Sequence, residues 1–196
     1  YIITLAFKKR NKKTSKHIQI VFGIASLALV IFINNFGVCY HRYSLEKNLG
    51  IERSKIDKYQ LYEGALFYKS ILEEQSQNIK YDVSGASKMP VSFNEISDSI
   101  DLGYNKLIKK MDFLSNCNVN SKRIALSQYL TYSHISGMYM PLTAEANVNT
   151  NYPDYVVTFS MAHEKAHQRG IAGEDEANFV AFLACMSSDN EYVKYS

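Results

Sequence analysis

The sequence contains no Cys-x-x-Cys pair. Its three cysteines, Cys39, Cys117 and Cys185, are scattered along the chain, and an odd count permits at most one internal disulfide. Cys39 falls in an apolar run and Cys185 in an apolar helical stretch, so a disulfide framework is not what organises the fold. Glycine and proline are scarce, at 9 and 3, and nothing repeats at a fixed period, which excludes solenoids and low-complexity linkers. At 196 residues the chain can bury one sizeable core plus accessories.

Acid is missing from the first seventeen residues, which hold Lys8, Lys9, Arg10, Lys12, Lys13 and Lys16. Setting those six aside from the 22 basic residues leaves 16 against 19 acids, so the remainder carries −3 although the whole carries +3. A nucleic-acid binder spreads basic residues over a docking face. Here they form one block beside an apolar segment, and no nucleic-acid partner is expected.

Charge is also absent from Ile18 to Tyr40. As a helix this segment spans about 35 Å, enough for a hydrocarbon core of about 30 Å. His41, Arg42 and Tyr43 do not form a small-residue cleavage site, so a retained transmembrane helix is expected instead of a signal peptide. The positive-inside rule then places the basic block in the cytoplasm and everything after Tyr40 outside. The apolar start, Tyr1 to Phe7, reads as the tail of an earlier membrane helix. The expected organisation is 1–17 as that tail plus a basic cytoplasmic loop, 18–40 as the membrane helix, and 41–196 as an extracytoplasmic domain.

Within that domain, Lys55 to Ile79 and Asn94 to Asn116 carry apolar residues near helical spacing and read as scaffold, with their aromatics in the core. Lys80 to Phe93, with Gly85 and Pro90, reads as a loop. From Leu142 to Asn149 the period changes to two, predicting a half-buried strand whose polar row includes Glu145 and Asn147. A plain edge strand and a substrate-binding edge are both compatible with it. The chain turns at Tyr152-Pro153, Asp154 is placed to cap a helix over about 155–169, and Gly170 stands where such a helix terminates. A second, nearly all-apolar helix is expected over about 174–187.

The first of these helices carries His163-Glu164-Lys165-Ala166-His167, an HExxH motif. Residues four apart share a helical face, so both imidazoles can reach one metal ion. Glu164, about 100° round the helix, can approach a water on that metal as general base without joining the ligands. A chance match arises in about one chain per hundred of this composition, so the surroundings decide. A catalytic zinc site needs a third protein ligand and an open position. Glu174 and Glu176, in the acidic run that opens the next helix, are the candidates, although acids there also stabilise a helix N-terminus without metal. Glu174 shares a face with Asn178, an amide in an apolar run that can accept the second ring N–H of His163, and is therefore preferred. Lys165, about 200° from His163, implies that its face is solvated. Tyr139, His134 and Tyr155 are candidates for oxyanion stabilisation, and Tyr139, His134, Glu145 and Asn147 for substrate binding.

Glu174 to Asn178, E-x-x-A-N, resembles the E-x-x-A-D of membrane-embedded CAAX-type endopeptidases and the E-x-x-x-D of thermolysin-like gluzincins. That resemblance implies Glu174 as third zinc ligand, with Asn178 replacing their outer acid. More closely, Ser127 to Cys185, with its E-A-N-V-N, H-E-x-A-H-Q-R-G and E-D-E-A-N-F blocks, resembles a bacterial membrane-protein family known only as domain of unknown function 3810. The fold expected is α+β and mostly helical: an N-terminal transmembrane helix, then a zincin-like ectodomain with a small antiparallel sheet. The function expected is a membrane-anchored zinc metallopeptidase acting on peptides or proteins. A zinc-binding but inactive sensor or scaffold is the alternative.

Overall fold

The computed structural model describes residues 12–52 and 54–196, with side chains from residue 15 onward. The apolar start at Tyr1 to Phe7 and the basic residues Lys8, Lys9 and Arg10 lie outside the described residues.

Helix α1, Lys12–Asn35, rises about 36 Å at 1.5 Å per residue. With the turn that follows it, Ser15–His41 is long and apolar enough to cross a membrane. Its Ile20, Val21, Phe22 and Leu27 are each more than half exposed, an arrangement that water penalises and a hydrocarbon surround does not. The apolar run continues to Tyr40, but the α-helix stops earlier. Asn35 Nδ2 donates to the carbonyl of Pro141 at 2.8 Å, and Gly37–His41 winds into a 3-10 turn. A contact distant in sequence thus ends a helix that hydropathy alone would extend.

Helix α2, Leu45–Leu49, closes on Gly50, whose φ of 65° is the left-handed conformation glycine favours. Helix α3, Lys58–Ser76, opens on a reciprocal capping box between Asp57 and Gln60. It buries no residue, which corrects the expectation that its aromatics lie in the core. Apolar side chains stand all round it, so Tyr59, Leu61, Tyr62 and Phe67 remain exposed while Tyr68 meets Phe182 edge-on at 5.6 Å.

Helix α4, Phe93–Ile108, is capped by the Ser92–Glu95 box, and its Phe93, Ile96, Ile100, Tyr104 and Leu107 form one buried stripe at helical spacing. Gly103 lets α4 cross a later helix closely, since a Cβ there would lie 2.3 Å from the carbonyl oxygen of Ala184.

The sheet has three strands: β1, Lys122–Arg123, then, after helix α5, Ser127–Thr131, β2, Gly137–Met140, and β3, Glu145–Val148. The order is β1-β3-β2. β2 pairs antiparallel to β3, but β1 runs parallel to it, so the sheet is mixed and not antiparallel. Two residues are too few for a period, and the sequence gives no sign of the direction of β1. β3 is also shorter than the alternation from Leu142 suggests. Residues 141–144 form a turn, Ala144 has φ 55°, and Gln168 Nε2 donates to its carbonyl at 2.8 Å. β3 is the central strand, so the edge beside the following helix is β2.

Helix α6, Asp154–Gln168, is capped by Pro153 without a side-chain bond. Asp154 does not cap it: its Oδ2 accepts from the Met89 N–H at 2.9 Å and fastens the preceding loop. Gly170, at φ 91°, terminates α6. Helix α7, Glu174–Ser187, and helix α8, Glu191–Tyr195, complete the core around Met161, Ala162, Val180, Ala181 and Val193.

Lys165 overturns the expectation of a solvated face. It is fully buried, its Nζ 2.7 Å from Asp101 Oδ2 and 2.9 Å from the carbonyl of Val119. Arg169, also fully buried, binds Asp101 Oδ1 at 2.7 Å and stacks 4.1 Å over the Tyr104 ring. Burial lowers the Lys165 pKa and Asp101 opposes that shift.

Candidate metal centre

His163 and His167 lie one turn apart on α6, and α7 returns antiparallel beside them after the tight turn at Gly170 to Gly173. Ala177, fully buried on α7, leaves the gap narrow enough for Glu174 and Asn178, on the same face, to reach α6. His163 Nε2 is 3.0 Å from His167 Nε2 and 3.1 Å from Glu174 Oε2. Glu174 Oε1 is 3.5 Å from His167 Nε2. The three donor groups lie within 4.8 Å of one another. Tetrahedral bonds of about 2.0–2.1 Å separate neighbouring ligand atoms by about 3.3 Å, so these distances are those of three corners around one ion.

The outer nitrogens settle the tautomers. His167 Nδ1 lies 2.7 Å from the carbonyl of Ile171, which can only accept, so that nitrogen carries the proton. His163 Nδ1 lies 2.9 Å from Asn178 Oδ1 and donates to it. In the neutral rings both Nε2 lone pairs are then bare and converge on each other beside a carboxylate. Three electron-rich atoms at that spacing repel one another unless a cation or a shared proton lies between them. His167 is pushed toward neutrality by burial first, and by the neighbouring His163, against the Ile171 bond and the Glu174 charge. Neutral imidazole is the form that binds metal.

Glu164 stands beside this cluster, not in it. Its carboxyl packs on the backbone of β2, where a Cβ on Gly137 would fall 2.5 Å from Oε1. It accepts the backbone N–H of Tyr139. Burial, and next the Glu174 charge, push its pKa up to about 8 against that bond, a range suited to exchanging protons near neutrality. The His163 and His167 side chains are nearly enclosed, at 13% and 5% exposed, while Glu174 is 74% exposed. The cluster therefore opens to the outside past Glu174.

The family model described as "Protein of unknown function (DUF3810)" matches residues 1–196. The chain belongs to this family. No curated protein and no solved structure matches it.

In this DUF3810 member the remaining candidates separate. Glu176 points elsewhere, its Oε1 accepting the Leu45 N–H at 2.7 Å and tying α2 to α7. Tyr139 faces the cluster, its ring centroid 6.4 Å from that of His167. Glu145 and Asn147 occupy the opposite face of the sheet, lining a cavity of about 620 Å³ with Leu126, Met138 and Met140. There Glu145 pairs with Lys122 and accepts from the Thr143 hydroxyl, and Asn147 Nδ2 bonds the carbonyl of Glu145 at 3.2 Å. His134 is an exposed turn residue with φ 55°. Tyr155 lies two turns before His163, about 12 Å along the axis, and is exposed.

Gly137, Phe36 and the Asp101–Lys165–Arg169 group were not singled out as part of the site by sequence reasoning. The charged group had a trace in the sequence: Lys165 and Arg169 are four apart on one helix face. Gly137 and Phe36 had none, because their roles depend on which strand and which helix end come to lie beside α6.

Proposed function

We propose that this chain is a membrane-anchored zinc-dependent peptidase, with His163, His167 and Glu174 as metal ligands and Glu164 as general base. The observation that carries the reading is the pair of Nε2 atoms, 3.0 Å apart beside Glu174 and with both outer ring nitrogens already committed to acceptors. Two imidazoles and a carboxylate form a donor set that suits zinc. The metal, when bound, would polarise a water and the scissile carbonyl. Glu164 takes the proton of the attacking water and passes it to the departing amine. Gly137 and the Tyr139 N–H hold its carboxyl in place for both transfers. His163 and His167 stay oriented through Asn178 and the Ile171 carbonyl. The apolar α1 anchors the domain, with the basic block before it on the cytoplasmic side and the site outside.

Metal analysis of the purified chain, paired with Glu164→Gln, tests the reading. The expected result is one zinc per chain, retained in Glu164→Gln, with proteolysis lost by about 10²–10⁴-fold. His163→Ala and His167→Ala should lose the metal itself. Stoichiometric zinc without proteolysis of denatured protein would select the alternative, a zinc-binding sensor or scaffold, which the seclusion of Glu164 favours. Absence of bound zinc would remove both.

A further inference from the structure

The end of α1 and the candidate site are joined without a stalk. Phe36, the first residue past α1, packs edge-on to His167 with centroids 6.2 Å apart and lies 5.9 Å from the Tyr139 ring. One residue earlier, Asn35 bonds the Pro141 carbonyl in the turn between β2 and β3. Arg42 Nη1 donates to the Gly170 carbonyl at 3.1 Å, just beyond α6, and its Nη2 to the Phe113 carbonyl. Leu45 is held by Glu176. Four attachments within eleven residues fix the apolar helix against the elements that carry the donors.

Phe32 and Ile33 are exposed apolar side chains, Asn34 and Asn35 are polar, and Val38 and Tyr40 beyond them are exposed again, so the hydrocarbon boundary falls between Asn34 and Tyr40. Phe36, Tyr40 and Tyr43 line that step as aromatic residues suited to the interface. His167 is then one aromatic ring from the boundary, within the headgroup layer, which is about 5–8 Å deep on each side. Leu142, next to Pro141, is 45% exposed on the same hairpin tip.

We infer that the substrate is a polypeptide tethered in the same membrane and cut in an extended stretch within a few residues of the bilayer surface. This rests on the peptidase reading above. The reaction is hydrolysis: water adds across one peptide bond, its oxygen joins the carbonyl carbon, the C–N bond breaks, and Glu164 carries the water proton to the amine. A soluble protein reaches headgroup level only by binding the membrane surface, whereas the flank of a membrane-spanning segment is held there. Confinement in the same bilayer also raises its effective concentration.

The test uses the full chain with zinc in phosphatidylcholine vesicles. The probes are synthetic transmembrane peptides with a randomised twelve-residue stretch, starting either three or twenty-five residues outside the apolar segment. The same stretch is also supplied as a free peptide. Cuts are mapped by mass spectrometry. Proximal stretches should be cut at least ~10-fold faster than distal or free ones. A twelve-residue Gly-Ser insertion between Asn35 and Phe36, reaching about 20 Å, should shift the favoured cut outward while cleavage continues. Equal rates for the three probes, or an unshifted cut in the insertion variant, would overturn the substrate class and leave the peptidase standing. No Glu164-dependent cleavage of any probe would overturn both.

Discussion

Lys165 Nζ lies 2.7 Å from Asp101 Oδ2 inside the protein, on the side of α6 turned away from His163. Asp101 also accepts from Arg169, so one carboxylate on α4 clamps two cations on the back of the helix whose front carries the donor imidazoles. Carbonyl oxygens of Val119, Cys117 and Lys165 accept further donors of the pair, and Arg169 Nε is left buried without a hydrogen-bond partner. Such a cluster sets the rotation of α6, because turning the helix by one residue would bury a cation without partners.

Asp101→Asn removes the charge and keeps the shape. Two buried cations would then face neutral oxygens alone, and a loss of about 3–5 kcal/mol of stability is expected. Lys165→Met leaves the Asp101–Arg169 pair intact and should cost less than half as much. Urea unfolding of the two variants in the same detergent checks the order. A larger loss in Lys165→Met would mean that Asp101 serves chiefly Lys165 and that Arg169 does not depend on it.

Gly137→Ala probes the other side of α6. Its Cβ would fall 2.7 Å from Glu164 Cγ as well as 2.5 Å from Oε1, so either β2 or the Glu164 side chain must move. Zinc content should stay at one per chain while proteolysis falls by about 10²-fold, since small misplacements of a catalytic group carry costs of that size. Unchanged turnover would show that Glu164 does not need this seat.

Asn178 Oδ1 accepts from His163 Nδ1, so under the proposed function it acts on the metal through that ring. Asn178→Ala should weaken zinc binding by about 10–100-fold, read by competition with a chelating dye. Asn178→Asp supplies a charged acceptor and should bind more tightly than the native chain. If Ala and Asp bind alike, the 2.9 Å contact does not tune the metal.

How much of this was legible in sequence varies with the range of the interaction concerned. The helix pair and its turn followed from i, i+4 spacing, Gly170 and the acidic start of α7, all local signals. The approach of Asn178 to His163 followed from helix phase, once the two helices were taken as neighbours. The burial of Lys165 is not legible, because charge alone does not reveal a buried partner 64 residues away. The direction of β1, the stopping of α1 at Asn35 and the placement of Phe36 on His167 are likewise set by contacts between distant segments. Glu145 and Asn147 form the one polar row that the alternation predicts, but period two does not say which face of a sheet meets the helix.

The choice between Glu174 and Glu176 as third ligand allows the sharpest test, because the two side chains are two residues apart yet tied to different partners. Glu174 reaches both Nε2 atoms, at 3.1 and 3.5 Å. Glu176 holds the N–H of Leu45, which anchors α2, and through it the segment leading from α1. Glu174→Gln should therefore weaken zinc by more than about 100-fold, beyond what losing an outer-shell partner produces, with folding nearly intact. Glu176→Gln should keep zinc within a few-fold and cost about 1 kcal/mol of stability, the worth of one hydrogen bond. Zinc titration and urea unfolding on both variants separate the two effects. Loss of tight zinc in Glu176→Gln alone would place the third ligand on the wrong side of α7 and require the helix to be rotated from the phase described.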